Sequence, residues 1–168
     1  MAHTDTQLTK QVGEYLVAAE LARRGLLSAT FAGSVRHYDI IASGPAGGHV
    51  PVQVKTMNRG AWQLDIRDFA DVTMNGDHQL ISQPKPVPYA GLVFVFVALG
   101  AYGTDQFFVL DWTTLRDLIL GQHEAYLAKH GGVRPKNPES FHTAVKPEAL
   151  APFRDLWDTI VSRVQHAA

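Results

Sequence analysis

Six consecutive apolar residues, Leu92-Val93-Phe94-Val95-Phe96-Val97, constrain the fold of this chain more than any other stretch. Their β-branched and aromatic content predicts a strand, and the lack of polar alternation predicts that both of its faces are buried. The surrounding apolar run, residues 90–100, is too short for a membrane span and ends in glycine. A strand buried on both sides needs a covering layer on each, and the remaining pattern supplies candidates. A helix is expected first, then strands, then two helices, giving an α/β domain with a central mixed sheet flanked by helices.

The first helix is expected at about 6–24. Leu8, Val12, Tyr15, Leu16, Ala19 and Ala22 form its apolar stripe, Glu14 lies beside that stripe, and Gly25 is the stop. A short strand is expected at 26–32, followed by strands at 38–43 and 50–56 joined by the turn Gly44-Pro45-Ala46-Gly47-Gly48. Residues 61–66 are a weaker strand. Residues 67–88, with three prolines and Asn75-Gly76, read as mostly irregular, with room for a mobile loop. A strand at 106–112 precedes helices at about 113–129 and 147–164, the second burying Leu150, Phe153, Leu156, Trp157, Ile160 and Val164. Trp62, Trp112 and Trp157 read as core aromatics.

The 168 residues, 46% hydrophobic, suit one domain with a core at about 6–112 and a helical extension at about 113–168. There is no cysteine, which excludes disulfides, thiol nucleophiles and cysteine-based zinc sites. The N-terminal sequence lacks the basic and apolar segments of a secretory signal, so a cytoplasmic protein without membrane association is expected.

Chemistry concentrates on the paired strands at 38–43 and 50–56. In the second, Val50, Val52 and Val54 alternate with Gln53 and Lys55, so the valines face a core and the amide and ammonium face the other way, about 6 to 7 Å apart. Asp39, on the neighbouring strand, belongs beside them. Such a group suits phosphodiester hydrolysis, which needs a metal to polarise the phosphoryl group, a positioned water and cationic help as charge develops. Asp39 is the natural anionic ligand for magnesium or manganese. The Gln53 amide oxygen and the Val54 backbone carbonyl are available neutral ligands, and Glu14 offers a second carboxylate. Lys55 is placed for the attacking water or the phosphate, as a base or as an electrostatic stabiliser.

A helical glutamate, then an aspartate on one strand, then an acidic-x-lysine tripeptide on the next resembles the PD-(D/E)XK nuclease superfamily, over the stretch from Val12-Gly13-Glu14 to Thr56. The resemblance implies a restriction endonuclease-like fold. It also implies metal binding by Asp39 and Gln53, hydrolytic assistance from Lys55 and a site completed by Glu14. Two positions depart from the pattern: Tyr38 replaces the name-giving proline, and Gln53 replaces a carboxylate, removing one negative charge from the metal site. Glutamine there resembles a variant of some restriction-type and intron-encoded homing endonucleases. The implied protein is a magnesium- or manganese-dependent DNA endonuclease, acting as a homodimer or higher homo-oligomer, because one site cuts one strand. The alternative is a catalytically inactive nuclease-fold module that binds DNA or a protein partner.

Other readings compete residue by residue. Glu14 pairs with Lys10 four residues earlier, Asp39 pairs with Lys55 or His37, and Lys55 is an edge-strand lysine. Asp65, Asp68 and Asp71 are explained by a turn entering a short helix, and His123 and His130 share a helix face without a third zinc ligand. The net charge of −1 and pI near 6.7 confine any nucleic-acid surface to a local patch. Lys129, Arg134 and Lys136, around the pair Gly131-Gly132, are the candidate patch.

Overall fold

The computed structural model describes residues 2–31 and 37–166. Along strand β7 (Val93–Ala98), Val93, Val95 and Val97 point to one face of a sheet and Phe94 and Phe96 to the other, and all five are buried. The expectation from the apolar run therefore holds. The sheet also contains β1 (Leu27–Thr30), β2 (Ile40–Ser43), β3 (His49–Met57) and β8 (Gln106–Asp111). Its order is β1-β2-β3-β7-β8, with β3 and β7 parallel and every other pair antiparallel, a mixed sheet as expected. Residue 32, the end of the expected first strand, lies outside the described residues.

Helices cover both faces. On the valine face, Val17 and Leu21 of α1 (Ala2–Arg23) meet Trp157 and, from α4 (Asp158–His166), Ile160 and Val164. On the phenylalanine face, Leu115 and Ile119 of α2 (Trp112–Lys129) pack with Trp62, Leu64, Ile66 and Leu150. Residues beyond 112 thus contribute to both layers of the core. No described helix is long and apolar enough to cross a membrane.

Several local expectations need correction. The fully buried face of α1 is Gly13, Val17 and Leu21; of the expected stripe, Leu16 is partly buried against the same core. Leu8, Val12 and Tyr15 are 55%, 44% and 58% exposed. Gly13 explains the inversion, because a Cβ added there would lie 1.8 Å from Thr56 Oγ1 on β3. The helix approaches the sheet on its smallest residue, which an apolar count cannot see.

Residues 67–88 are not irregular. They contain a short 3-10 helix, Ile66–Asp68, and a hairpin of β5 (Ala70–Asn75) and β6 (His78–Pro84) around Gly76, whose φ of 58° is the left-handed region glycine tolerates. Strand β4 (Trp62–Asp65) pairs with β9 (His142–Val145), an element with no counterpart in the sequence reading. The expected helix over 147–164 is broken into α3 (Pro147–Leu150), a 3-10 turn over Ala151–Phe153, and α4. Pro152 and the left-handed Asp155 (φ 52°) mark the break, and Leu156 is left 44% exposed.

Candidate functional site

Asp39 stands immediately before β2, and its N–H donates to the Val52 carbonyl at 2.9 Å, which fixes it against β3. Its carboxylate is buried and its two oxygens have different partners. Oδ2 accepts hydrogen bonds from Gln53 Nε2 at 2.6 Å and from the Val54 N–H at 2.9 Å. Oδ1 lies 3.0 Å from Lys10 Nζ, which is also 3.4 Å from Glu14 Oε1. Three elements, α1, the start of β2 and the middle of β3, therefore converge on one ion cluster. Glu14, Asp39 and Gln53 come together, with Lys10 as an additional member.

The expected alternation of β3 is observed: Val50, Val52 and Val54 are buried in the valine-face core, while Gln53 and Lys55 are half-buried on the opposite face. There they line a cleft of about 600 Å³ with His37, Arg67, Asp68 and Lys85. Lys55 is not an edge residue, because β3 lies between β2 and β7. Among the described residues, no hydrogen bond or ion pair holds its ammonium. Burial pushes the Lys55 pKa below the usual lysine value, with a contribution from Lys10, against opposing attraction from Asp39 and Asp68.

Glu14 forms the expected pair with Lys10, and it borders a separate hollow of about 390 Å³ with Gln11, Tyr15, Thr30 and Phe31. Burial, then repulsion from Asp39, raises its pKa despite the nearby Lys10. For Lys10, burial acts downward but is outweighed by the hydrogen bond and charge of Asp39 and by Glu14, so its pKa is raised. Asp39 pairs with Lys10, and among the described residues it forms no ion pair with Lys55 or His37.

The residues present suit a hard divalent cation in part. Two carboxylates and one amide oxygen offer oxygen ligands, and the Gln53 carbonyl oxygen has no hydrogen-bond partner among the described residues. Val54 contributes its N–H to Asp39. Among the described residues no three His, Cys, Asp or Glu side chains converge as a metal cluster.

The other candidates separate. Asp65 caps the short 3-10 helix through the Arg67 N–H at 2.9 Å and holds the Arg67 guanidinium, as a turn requires. Asp71 sits 3.9 Å from Lys85. Both ring nitrogens of His123 are engaged, by Thr143 Oγ1 at 2.6 Å and Gln79 Oε1 at 2.8 Å, leaving none for zinc. Lys129 ends α2, and Arg134 lies over the Tyr126 ring at 5.0 Å. Neither these nor Lys136 line the Lys55 cleft. Sequence reasoning missed Arg67 and Lys85 as cleft cations, since the segment carrying them was read as irregular.

No protein-family model and no curated protein matches the sequence. The structure is similar to that of a bacterial homing endonuclease, I-Ssp6803I, with a TM-score of 0.53 at 15% identity, covering 96% of this chain and 97% of the other. The chain therefore shares the mixed α/β fold of that nuclease.

Proposed function

We propose that this chain is a divalent-metal-dependent DNA endonuclease that hydrolyses phosphodiester bonds through Glu14, Asp39, Gln53 and Lys55, as a Gln-x-Lys variant of the PD-(D/E)XK pattern. The observation that carries this reading is the Lys55 ammonium, which no hydrogen bond or ion pair holds among the described residues. It faces a cleft two residues along β3 from Gln53, beside the buried Asp39 carboxylate. A half-buried ammonium that no hydrogen bond holds is free to take a phosphate in the cleft as its partner. The fold shared with a homing endonuclease supports the same reading.

Asp39, Glu14 and the Gln53 amide oxygen would hold magnesium or manganese, which polarises the phosphoryl group and stabilises its developing charge. Lys55 would face the attacking water and the scissile phosphate. Arg67 and Lys85 on the cleft wall, with Lys129, Arg134 and Lys136 farther off, would contact the DNA backbone. Cutting both strands requires two chains, so a homodimer or higher homo-oligomer belongs to the reading.

The test is incubation of supercoiled plasmid with the protein in magnesium, manganese or chelator, beside Lys55→Ala. Cleavage should require the metal, and the variant should lose activity by about 10²-fold or more while unfolding at an unchanged temperature. A Lys55→Ala variant that cuts at the normal rate would sink the proposal. The competing reading, an inactive module that binds DNA or a protein partner, is favoured by Gln53 turning its NH₂ toward Asp39. Titration with manganese separates the two, because an inactive site should bind none.

A further inference from the structure

We infer that the Lys10 ammonium stands in the position a divalent cation takes between Asp39 and Glu14, so that loading the site requires Lys10 to swing out. This rests on the metal-dependent reading above. Asp39 Oδ2 is saturated by Gln53 and the Val54 N–H, which leaves Oδ1 as the oxygen free to face a cation. Lys10 Nζ sits 3.0 Å from it, and the same nitrogen is 3.4 Å from Glu14 Oε1. A pairing with Glu14 alone would be an ordinary contact along a helix surface. The contact with Asp39 crosses from α1 to the sheet and ends on a carboxylate whose side chain is only 7% exposed.

The three side chains differ in their freedom to move. Asp39 is tied to β3 by two hydrogen bonds, and the Glu14 side chain is 16% exposed. The Lys10 side chain is 52% exposed on a flexible four-carbon stem, so it can leave for water without disturbing the core. The bound lysine supplies half of a divalent cation's charge, which reduces the repulsion between the two neighbouring carboxylates. Lys10 is thus a positioning and competing residue, outside the catalytic group itself.

The experiment is titration of manganese, followed by calorimetry and by the electron paramagnetic resonance of the free ion, into the wild type, Lys10→Met and Lys10→Arg. Removing the competing charge should tighten manganese binding in Lys10→Met about tenfold or more, while Lys10→Arg, which keeps the charge, should show no such gain. Asp39→Asn in the Lys10→Met background should lose the binding, locating the ion at this cluster. Equal or weaker binding by Lys10→Met, with the wild type binding manganese, would overturn the role of Lys10 and leave the metal-dependent reading standing. Absence of binding in the wild type and Lys10→Met alike would overturn both.

Discussion

At the scale of single residues, the most informative is Gln53, because its amide both satisfies Asp39 and belongs to the proposed metal site. Replacing it with glutamate removes the hydrogen bond to Oδ2 and adds a negative charge beside Asp39. Without a cation the two carboxylates repel, and with one they share it. Gln53→Glu should therefore tighten magnesium and manganese binding, read by calorimetry, and lower stability in chelator. No change in metal affinity would place residue 53 outside the ion's shell. Much of the placement of these side chains was legible in the sequence. Two-residue alternation put Gln53 and Lys55 on one face and the valines on the other, and the turn at Gly44–Gly48 brought Asp39 beside them. The partner of Asp39 was not legible, since the meeting of Lys10 with Asp39 depends on how closely α1 approaches the sheet.

At the scale of elements, that approach is set by Gly13. A methyl group there would meet Thr56 Oγ1 at 1.8 Å and Thr56 Cβ at 2.8 Å. Because the β carbon itself is too close, turning the threonine about its stiff χ1 cannot relieve the clash. Alanine gains about 0.5–1 kcal/mol over glycine in a helix interior, whereas overpacking costs about 1–3 kcal/mol, so the clash should win. Gly13→Ala should lower stability in urea denaturation and, by pushing α1 outward, weaken manganese binding at the Glu14–Lys10–Asp39 cluster. A variant as stable as the wild type, with unaltered binding, would show that the helix yields without consequence. The same glycine explains why the buried face of α1 was misread: the larger apolar residues Leu8, Val12 and Tyr15 pointed to the wrong side. The β5–β6 hairpin escaped notice for a related reason, since exposed residues such as Met74 and Leu80 blur the two-residue pattern. β9 is only four residues long and is defined by its distant partner β4.

At the scale of the molecule, a buried polar network links the parts that the main sheet does not hold. His123 on α2 joins Gln79 on β6 to Thr143 on β9, and the Gln79 amide donates to the carbonyls of Pro138 and Ser140 at 2.6 and 3.0 Å. Burial, assisted by Arg134 and opposed by Asp65, lowers the His123 pKa to about 4. The unfolded chain takes up this proton near pH 6.5 and the folded one only near pH 4, so stability should fall as pH drops through that window, by about 3 kcal/mol at most. Urea denaturation between pH 7 and 4 should show this component in the wild type and its loss in His123→Gln. An identical pH dependence in both would remove the network from the account. The main sheet and its two covering layers were legible because their hydrophobic periods are strong. This network was not, because a histidine, a glutamine and a threonine scattered over 64 positions carry no local signal.

The ion cluster and Lys55 together hold two carboxylates and two ammonium groups, so the resting site is close to electrical balance. A divalent cation that takes the place of one ammonium leaves a surplus of positive charge facing the cleft, and a phosphodiester is the anion that would cancel it. Metal and nucleic acid would then bind cooperatively, and by thermodynamic reciprocity each would raise the affinity for the other by the same factor. A protein built this way would hold its metal more tightly where DNA is already in place.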